Sequence, residues 1–169
     1  MKPVLAIQPF RGMARVALAA LIEDLALLGF DASLLPEVDV PQDAYDRRRH
    51  QYRAEPFLGL ARRAAGAAGK RVLGVTDCDL YAEGLNFVFG LADSPGRAAV
   101  ISLARLGQAD DATRQRARAV KEAVHELGHT FGLDHCSDPR CVMHFSNTLA
   151  DTDRKGREFC SSCRARLAD

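Results

Sequence analysis

The 169-residue chain carries five histidines and five cysteines, and four of each fall between His125 and Cys163. Thiols and imidazoles gathered in one short stretch are the donors of metal sites or disulfides, so this stretch constrains the fold more than any other feature. A chain of this length buries about 70% of the surface that its unfolded form exposes, so one domain is expected and no disulfide framework is needed. Hydrophobic residues make up 47% and charged residues 27% of the chain, the proportions of a globular protein. No apolar run approaches the ~20 residues of a membrane span. At the N-terminus only Val4 to Ile7 are consecutively apolar before Gln8 and Pro9, too short for the core of a secretory leader. A cytoplasmic chain is expected. Twenty-three basic against 22 acidic residues leave a net charge of +1, which gives no field to attract nucleic acid or an anionic membrane. In a reducing compartment, cysteines near other cysteines and histidines read as a metal site.

Along the chain, Val4 to Gln8 reads as a buried strand, and residues 13–30 have a broad apolar helical face that stops at Gly29. Residues 31–35 form a second strand closed by Pro36, and the polar stretch from Pro36 to Glu55 is a loop with room for a short helix. A second helix opens at Pro56 and ends in the glycines 66 and 69. Three short apolar segments follow, RVLGVTDCDL, LNFVFGLA and RAAVISLARL, all read as strands. Asp110 or Asp111 then caps a long helix that ends at Gly132. Beyond it neither helical nor strand periodicity persists. The order predicts an α/β fold with a mostly parallel sheet over residues 1–132, including the long helix, and an irregular C-terminal part over 133–169.

The long helix carries H-E-x-x-H-x-x-G-x-x-H at His125, Glu126, His129, Gly132 and His135. Histidines four apart lie about 40° apart around a helix and about 6 Å along it, so their imidazoles can converge on one ion. Gly132 can take a positive φ, end the helix and bring His135 back as a third ligand. Three protein ligands leave a position open for water, the mark of a catalytic zinc. With Val120 at zero, Val124, Leu127 and Phe131 fall within about 40° of it, while His125 and His129 fall near 140° and 180°. One side of the helix therefore packs and the other faces a cleft. Glu126 lies about 60° from His129, beside the ion rather than pointing at it, in the position of a general base.

Cys136 and Cys141, then Cys160 and Cys163, form two pairs with four and two intervening residues. This pattern suits a second, closed tetrahedral zinc held by four thiolates, which would tie down the aperiodic tail. Disulfides and free thiols are the competing readings.

HExxHxxGxxH followed by Met143 is the metzincin pattern, and its continuation through His135-Cys136, Cys141, Met143, Cys160 and Cys163 resembles the archaemetzincin family of zinc metallopeptidases. The resemblance extends upstream through TDCDLYAEGLNFVFG and RRRHQYRAEPFLGLARR, so it covers most of the chain. It implies a mixed, mostly parallel sheet whose antiparallel edge strand borders the cleft, with Leu85 to Gly90 as the candidate. It implies that Met143 is the Met-turn residue beneath the zinc ligands, although an ordinary core methionine would look the same. Several metzincin branches carry a tyrosine two residues after that methionine; this chain has Phe145. The expected protein is a monomeric peptidase with two zinc ions, acting on peptides or proteins through water activated by zinc and Glu126, without a latency segment. A zinc-stabilised module that binds peptides without turning them over is the alternative.

Other features carry less. Gly66 to Arg71 lacks the spacing and hydroxyl of a phosphate loop and reads as a helix end. Arg47 to Arg49 with His50 reads as a solvated charged face, and Cys78 as a structural thiol on a strand end. His144 and Asn147 lie near the predicted cleft.

Overall fold

Three apolar runs, Val4–Pro9, Arg71–Thr76 and Ala98–Ser102, pair side by side as parallel strands whose residues are almost all buried. Strands covered on both faces are near-continuously apolar rather than alternating, which is how these runs read. In the computed structural model, residues 3–107 and 111–168 are described. Their elements are β1 (Val4–Pro9), α1 (Arg15–Leu27), β2 (Asp31–Leu34), β3 (Tyr45–Asp46), β4 (Gln51–Arg53), α2 (Ala54–Ala68), β5 (Arg71–Thr76), β6 (Leu80–Tyr81), β7 (Gly90–Ala92), β8 (Ala98–Ser102), α3 (Ala112–Thr130), α4 (Leu149–Arg154) and α5 (Ser161–Ala168). The main sheet has the order β2-β1-β5-β8-β7, with all pairs parallel except β7 against β8.

The period of two along each strand sorts the core into two layers. Leu5, Ile7, Leu73, Val75, Ala99 and Ile101 face α1 and α3, through Leu18, Leu21 and Leu25 and through Val120, Val124 and Leu127. Ala6, Val72, Ala98 and Val100 face α2, through Phe57, Leu58, Ala61 and Ala65. The apolar stripe expected on the long helix is thus the stripe that packs on the sheet. Asp111 caps α3 by accepting from the Arg114 amide, and Asp110 lies outside the described residues.

Three expectations need correction. The antiparallel edge strand is Gly90–Ala92, downstream of Leu85 to Gly90. The carbonyls of Leu85 and Asn86 accept from Arg49 and Gln51 side chains, and the Val88 amide donates to Leu80 O, so residues 85–88 bond away from the main sheet, which the segment joins only at Phe89, whose carbonyl accepts from the Ser102 amide of β8. The polar stretch before α2 is not simply a loop: after a 3-10 turn at Gln42–Ala44, β3 and β4 join β6 in a separate three-stranded sheet. The tail, expected to be irregular, contains α4 and α5. Thr148 and Asp151 form a reciprocal capping box that starts α4, a signal present in the sequence as T-x-x-D. Helices of 6 and 8 residues are too short for a 3.6-residue period to stand out.

Gly128 sits on the side of α3 against which the Met143 loop packs. A Cβ there would overlap the Met143 sulfur and approach the Phe159 ring at 3.0 Å. Gly128→Ala should overpack this contact and destabilise the protein by about 1–3 kcal/mol. In a thermal melt that is a drop of several degrees at a scale of ~2–4 °C per kcal/mol, and an unchanged Tm would show that the loop has slack.

Candidate active site

Helix α3 ends in a Schellman motif: the Leu133 amide donates to Gly128 O at 3.1 Å and the Gly132 amide to His129 O at 2.8 Å, with Gly132 at φ +87°. That reversal carries the chain back so that the His135 ring lies 4.9 Å from the ring of His129 and 5.3 Å from that of His125. One donor nitrogen from each of the three imidazoles lies within 4.8 Å of the others.

The orientation of two rings is set from behind. His125 Nδ1 donates to Val142 O at 2.8 Å, and His129 Nδ1 donates to Leu133 O at 2.7 Å. With those nitrogens protonated, the two Nε2 atoms are bare lone pairs, yet they face one another at 3.2 Å. Two lone pairs at that distance repel unless a cation lies between them. Two nitrogens bound to a tetrahedral zinc at 2.0–2.1 Å are separated by about 3.3 Å, so the donor set fits the ion. His125 is 4% exposed, and its burial, with the nearby Lys155 ammonium, pushes its pKa down to about 2. It is therefore a neutral imidazole at any working pH, as a metal ligand must be.

Glu126 lines the same cleft of about 330 Å³ as the three histidines, with Leu91 of β7 and Phe145 among the apolar walls. Burial, and then the neighbouring Glu122, push the Glu126 pKa up, and a divalent cation at the histidines would pull it back down, keeping the carboxylate ionised. Its carboxylate packs on the backbone of Gly90, where a Cβ would lie 2.6 Å from Cγ and 2.7 Å from Oε1. Phe145 packs beside His135 at 5.1 Å.

The four cysteines also converge, with all four sulfurs within 4.8 Å of one another. Cys136 Sγ and Cys160 Sγ are 3.8 Å apart, as are Cys141 Sγ and Cys163 Sγ. That is the edge of a tetrahedron with zinc–sulfur bonds of about 2.3 Å, about 3.8 Å, and far from the ~2.05 Å of a disulfide. Amides of Met143 and Cys160 point at Cys141 Sγ. The Cys136 amide donates to Met143 O at 3.0 Å, so the thiol cluster and the methionine loop share a backbone.

Of the other residues singled out from sequence, Asn147 lines the cleft, whereas His144 turns its Nδ1 to Cys136 O and does not. Cys78 is half-buried just past the end of β5. Arg49 is engaged rather than merely solvated, lying over the Tyr81 ring at 4.0 Å. Sequence reasoning misses two buried side chains, Glu122 and Lys155. Glu122 falls near 200° on the helix wheel, beside the histidines, so a signal exists; Lys155 sits in a charged run, DRKGRE, with nothing to mark it.

A family model described as peptidase family M54 matches residues 27–169. The chain belongs to peptidase family M54. Among its relatives, the archaemetzincin of Methanopyrus kandleri is 52% identical over 124 residues, 73% of this chain and 70% of the relative. That of Pyrococcus furiosus is 48% identical over 134 residues, 75% of this chain and 69% of the relative. The crystal structure of the Archaeoglobus fulgidus archaemetzincin, complexed with malonate, superposes with a TM-score of 0.85 at 40% identity, covering 96% of this chain and 99% of that one. The Methanopyrus kandleri structure gives 0.86 at 41% identity over 99% of this chain and 94% of that one. Membership in the M54 family makes this chain a zinc metallopeptidase, as the resemblance implied, and does not favour a peptide-binding module without turnover. Among the described residues no helix is long and apolar enough to cross a membrane.

For an M54 peptidase, the contact of Gly90 with Glu126 has a measurable consequence. Gly90→Ala should push the carboxylate aside while leaving the histidines in place, lowering kcat by about 100-fold, the cost of roughly 1 Å of misplacement. Zinc content should be unchanged. Wild-type turnover in this variant would mean that the Glu126 carboxylate is not held by the edge strand.

Proposed function

We propose that His125, His129 and His135 hold the catalytic zinc, that Glu126 is the general base, and that Cys136, Cys141, Cys160 and Cys163 hold a second, structural zinc. The observation that carries this reading is the pair of bare Nε2 atoms facing each other at 3.2 Å in a cleft that also contains a buried carboxylate. When bound, zinc lowers the pKa of a water towards neutrality and polarises the scissile carbonyl. The chain does the rest. Glu126 takes the water's proton and delivers it to the leaving amine. Its position against Gly90 keeps the carboxylate beside the histidines rather than in contact with solvent, so the proton is exchanged with the substrate. The outer edge of β7 offers backbone groups to which an extended peptide can add as a strand, with Leu91 and Phe145 receiving its side chains. Met143 is fully buried beneath α3 and acts as the Met-turn residue, a packed base for the ligands.

The same reading treats residues 1–169 as one metallopeptidase domain, with 1–132 carrying the sheet and active helix and 133–169 the thiolate cluster. A single apolar cluster that includes Val120, Val124, Val142, Met143 and Cys163 supports it. The protein is taken as a monomeric cytoplasmic enzyme acting on peptides or proteins. Its net charge of +1 argues against nucleic acid as a partner.

Metal analysis should find two zinc ions per chain. Glu126→Gln should keep both and lose about 10²–10⁴ in kcat on a peptide library. Wild-type turnover by this variant would remove Glu126 from the mechanism. Cys160→Ser should release one zinc and loosen the tail, read as protease sensitivity after Met143, whereas an unchanged zinc count would refute the four-thiolate site.

A further inference from the structure

The Lys155 side chain is fully buried, a charge that folding had to take out of water entirely. Its Nζ lies 3.1 Å from Glu122 Oε1, 3.4 Å from His144 O and 3.4 Å from His125 Nδ1. Glu122, 3% exposed, also accepts from Thr152 Oγ1 at 3.1 Å. A buried ion pair of this kind is costly to desolvate, and apolar side chains of similar volume often serve stability as well or better.

Docking α4 on α3 does not require it. Arg118 already grips the Asp153 carboxylate with two contacts of 2.7 Å, and Lys121 Nζ donates to the carbonyls of Thr152 and Asp153 at 3.0 and 3.2 Å. What Lys155 alone does is join three parts of the site. It ties α3, through Glu122, to the carbonyl of His144, one residue past Met143. Two residues before that carbonyl, Val142 O receives His125 Nδ1. The ammonium thus closes a ring of contacts that holds the Met143 loop against the back of the first histidine.

We propose that Lys155 is a positioning residue for His125: paired with Glu122, it fixes the Val142–His144 carbonyls so that His125 Nε2 points into the cleft. The inference rests on the reading of His125 as a metal ligand. Outer partners of metal-bound histidines set ring orientation, and their loss costs 10- to 100-fold in metal affinity.

The test compares the full-length wild type, Glu122→Gln, and Glu122→Gln combined with Lys155→Met. The single variant keeps a neutral acceptor for both Thr152 and Lys155, whereas the double variant removes the buried charges together and leaves neither unpaired. Zinc affinity at the histidine site is read by chelator competition, and cadmium NMR distinguishes its nitrogen-ligated ion from the thiolate-ligated one. Glu122→Gln leaves the buried Lys155 ammonium without its counter-charge, so it should lower the Tm and weaken zinc binding at the histidines by less than the double variant does. The double variant should bind zinc 10- to 100-fold more weakly at the histidines, with a shifted nitrogen-site cadmium signal and an unchanged thiolate signal. A folded double variant with wild-type affinity and cadmium signal would overturn the proposal and leave Lys155 a packing residue. Should the double variant not fold, the wild-type holoprotein answers instead. A nuclear Overhauser effect between the Lys155 ammonium and the His125 ring is expected, and its absence is equally fatal. A wild type that binds no metal at the histidines is a different failure, that of the site assignment itself.

Discussion

Two imidazole nitrogens stripped of protons and turned towards each other at 3.2 Å repel one another unless a cation lies between them, and the segments packed around α3 impose that arrangement. Each ring is held by a carbonyl behind it, Val142 O for His125 and Leu133 O for His129. Neither carbonyl belongs to the body of the helix. One comes from the segment that leads into Met143, and the other from the turn created at Gly132. The chain beyond α3 therefore orients the histidines that α3 carries, and a helix with the same motif but without that tail would leave both rings free to rotate.

This explains why the helix is used on every side. Val120, Val124 and Leu127 bury against the sheet, His125, Glu126 and His129 face the cleft, Gly128 receives the Met143 sulfur, and Arg118, Lys121 and Glu122 engage α4. From Arg118 onward, little of α3 is left to solvent. Close packing of this sort transmits small displacements, so the tail is part of the site in a mechanical sense even where it contributes no donor atom. The four-cysteine cluster takes part through the Cys136 amide, which bonds to Met143 O directly after His135.

Much of this is legible in the sequence. The stripe of Val120, Val124 and Leu127 opposite His125 and His129 follows from about 100° per residue, and both the docking of the helix and the location of the cleft follow from the stripe. The buried parallel strands are legible because strands covered on both faces must be apolar throughout. The rim of the cleft is not. Leu85 to Gly90 has the composition of a strand, but the carbonyls of Leu85 and Asn86 are taken by Arg49 and Gln51 from a hairpin far upstream, and bonding to β8 begins only at Phe89 O. The small sheet that supplies those residues has strands of two and three residues, below the length at which alternation carries information.

Sequence by itself determined the chemistry: which side chains can bind metal, their spacing along a helix, and the turn that returns a third histidine. These are local properties, set by covalent spacing and by the helical period. Tertiary structure alone decided the orientation of those groups. The tautomers of His125 and His129, the support of Glu126 on the Gly90 backbone, and the burial of Lys155 beside His125 all depend on contacts between segments distant in the chain. A buried lysine reads in sequence like a solvated one, because desolvation is a property of what packs over a residue and not of the residue itself.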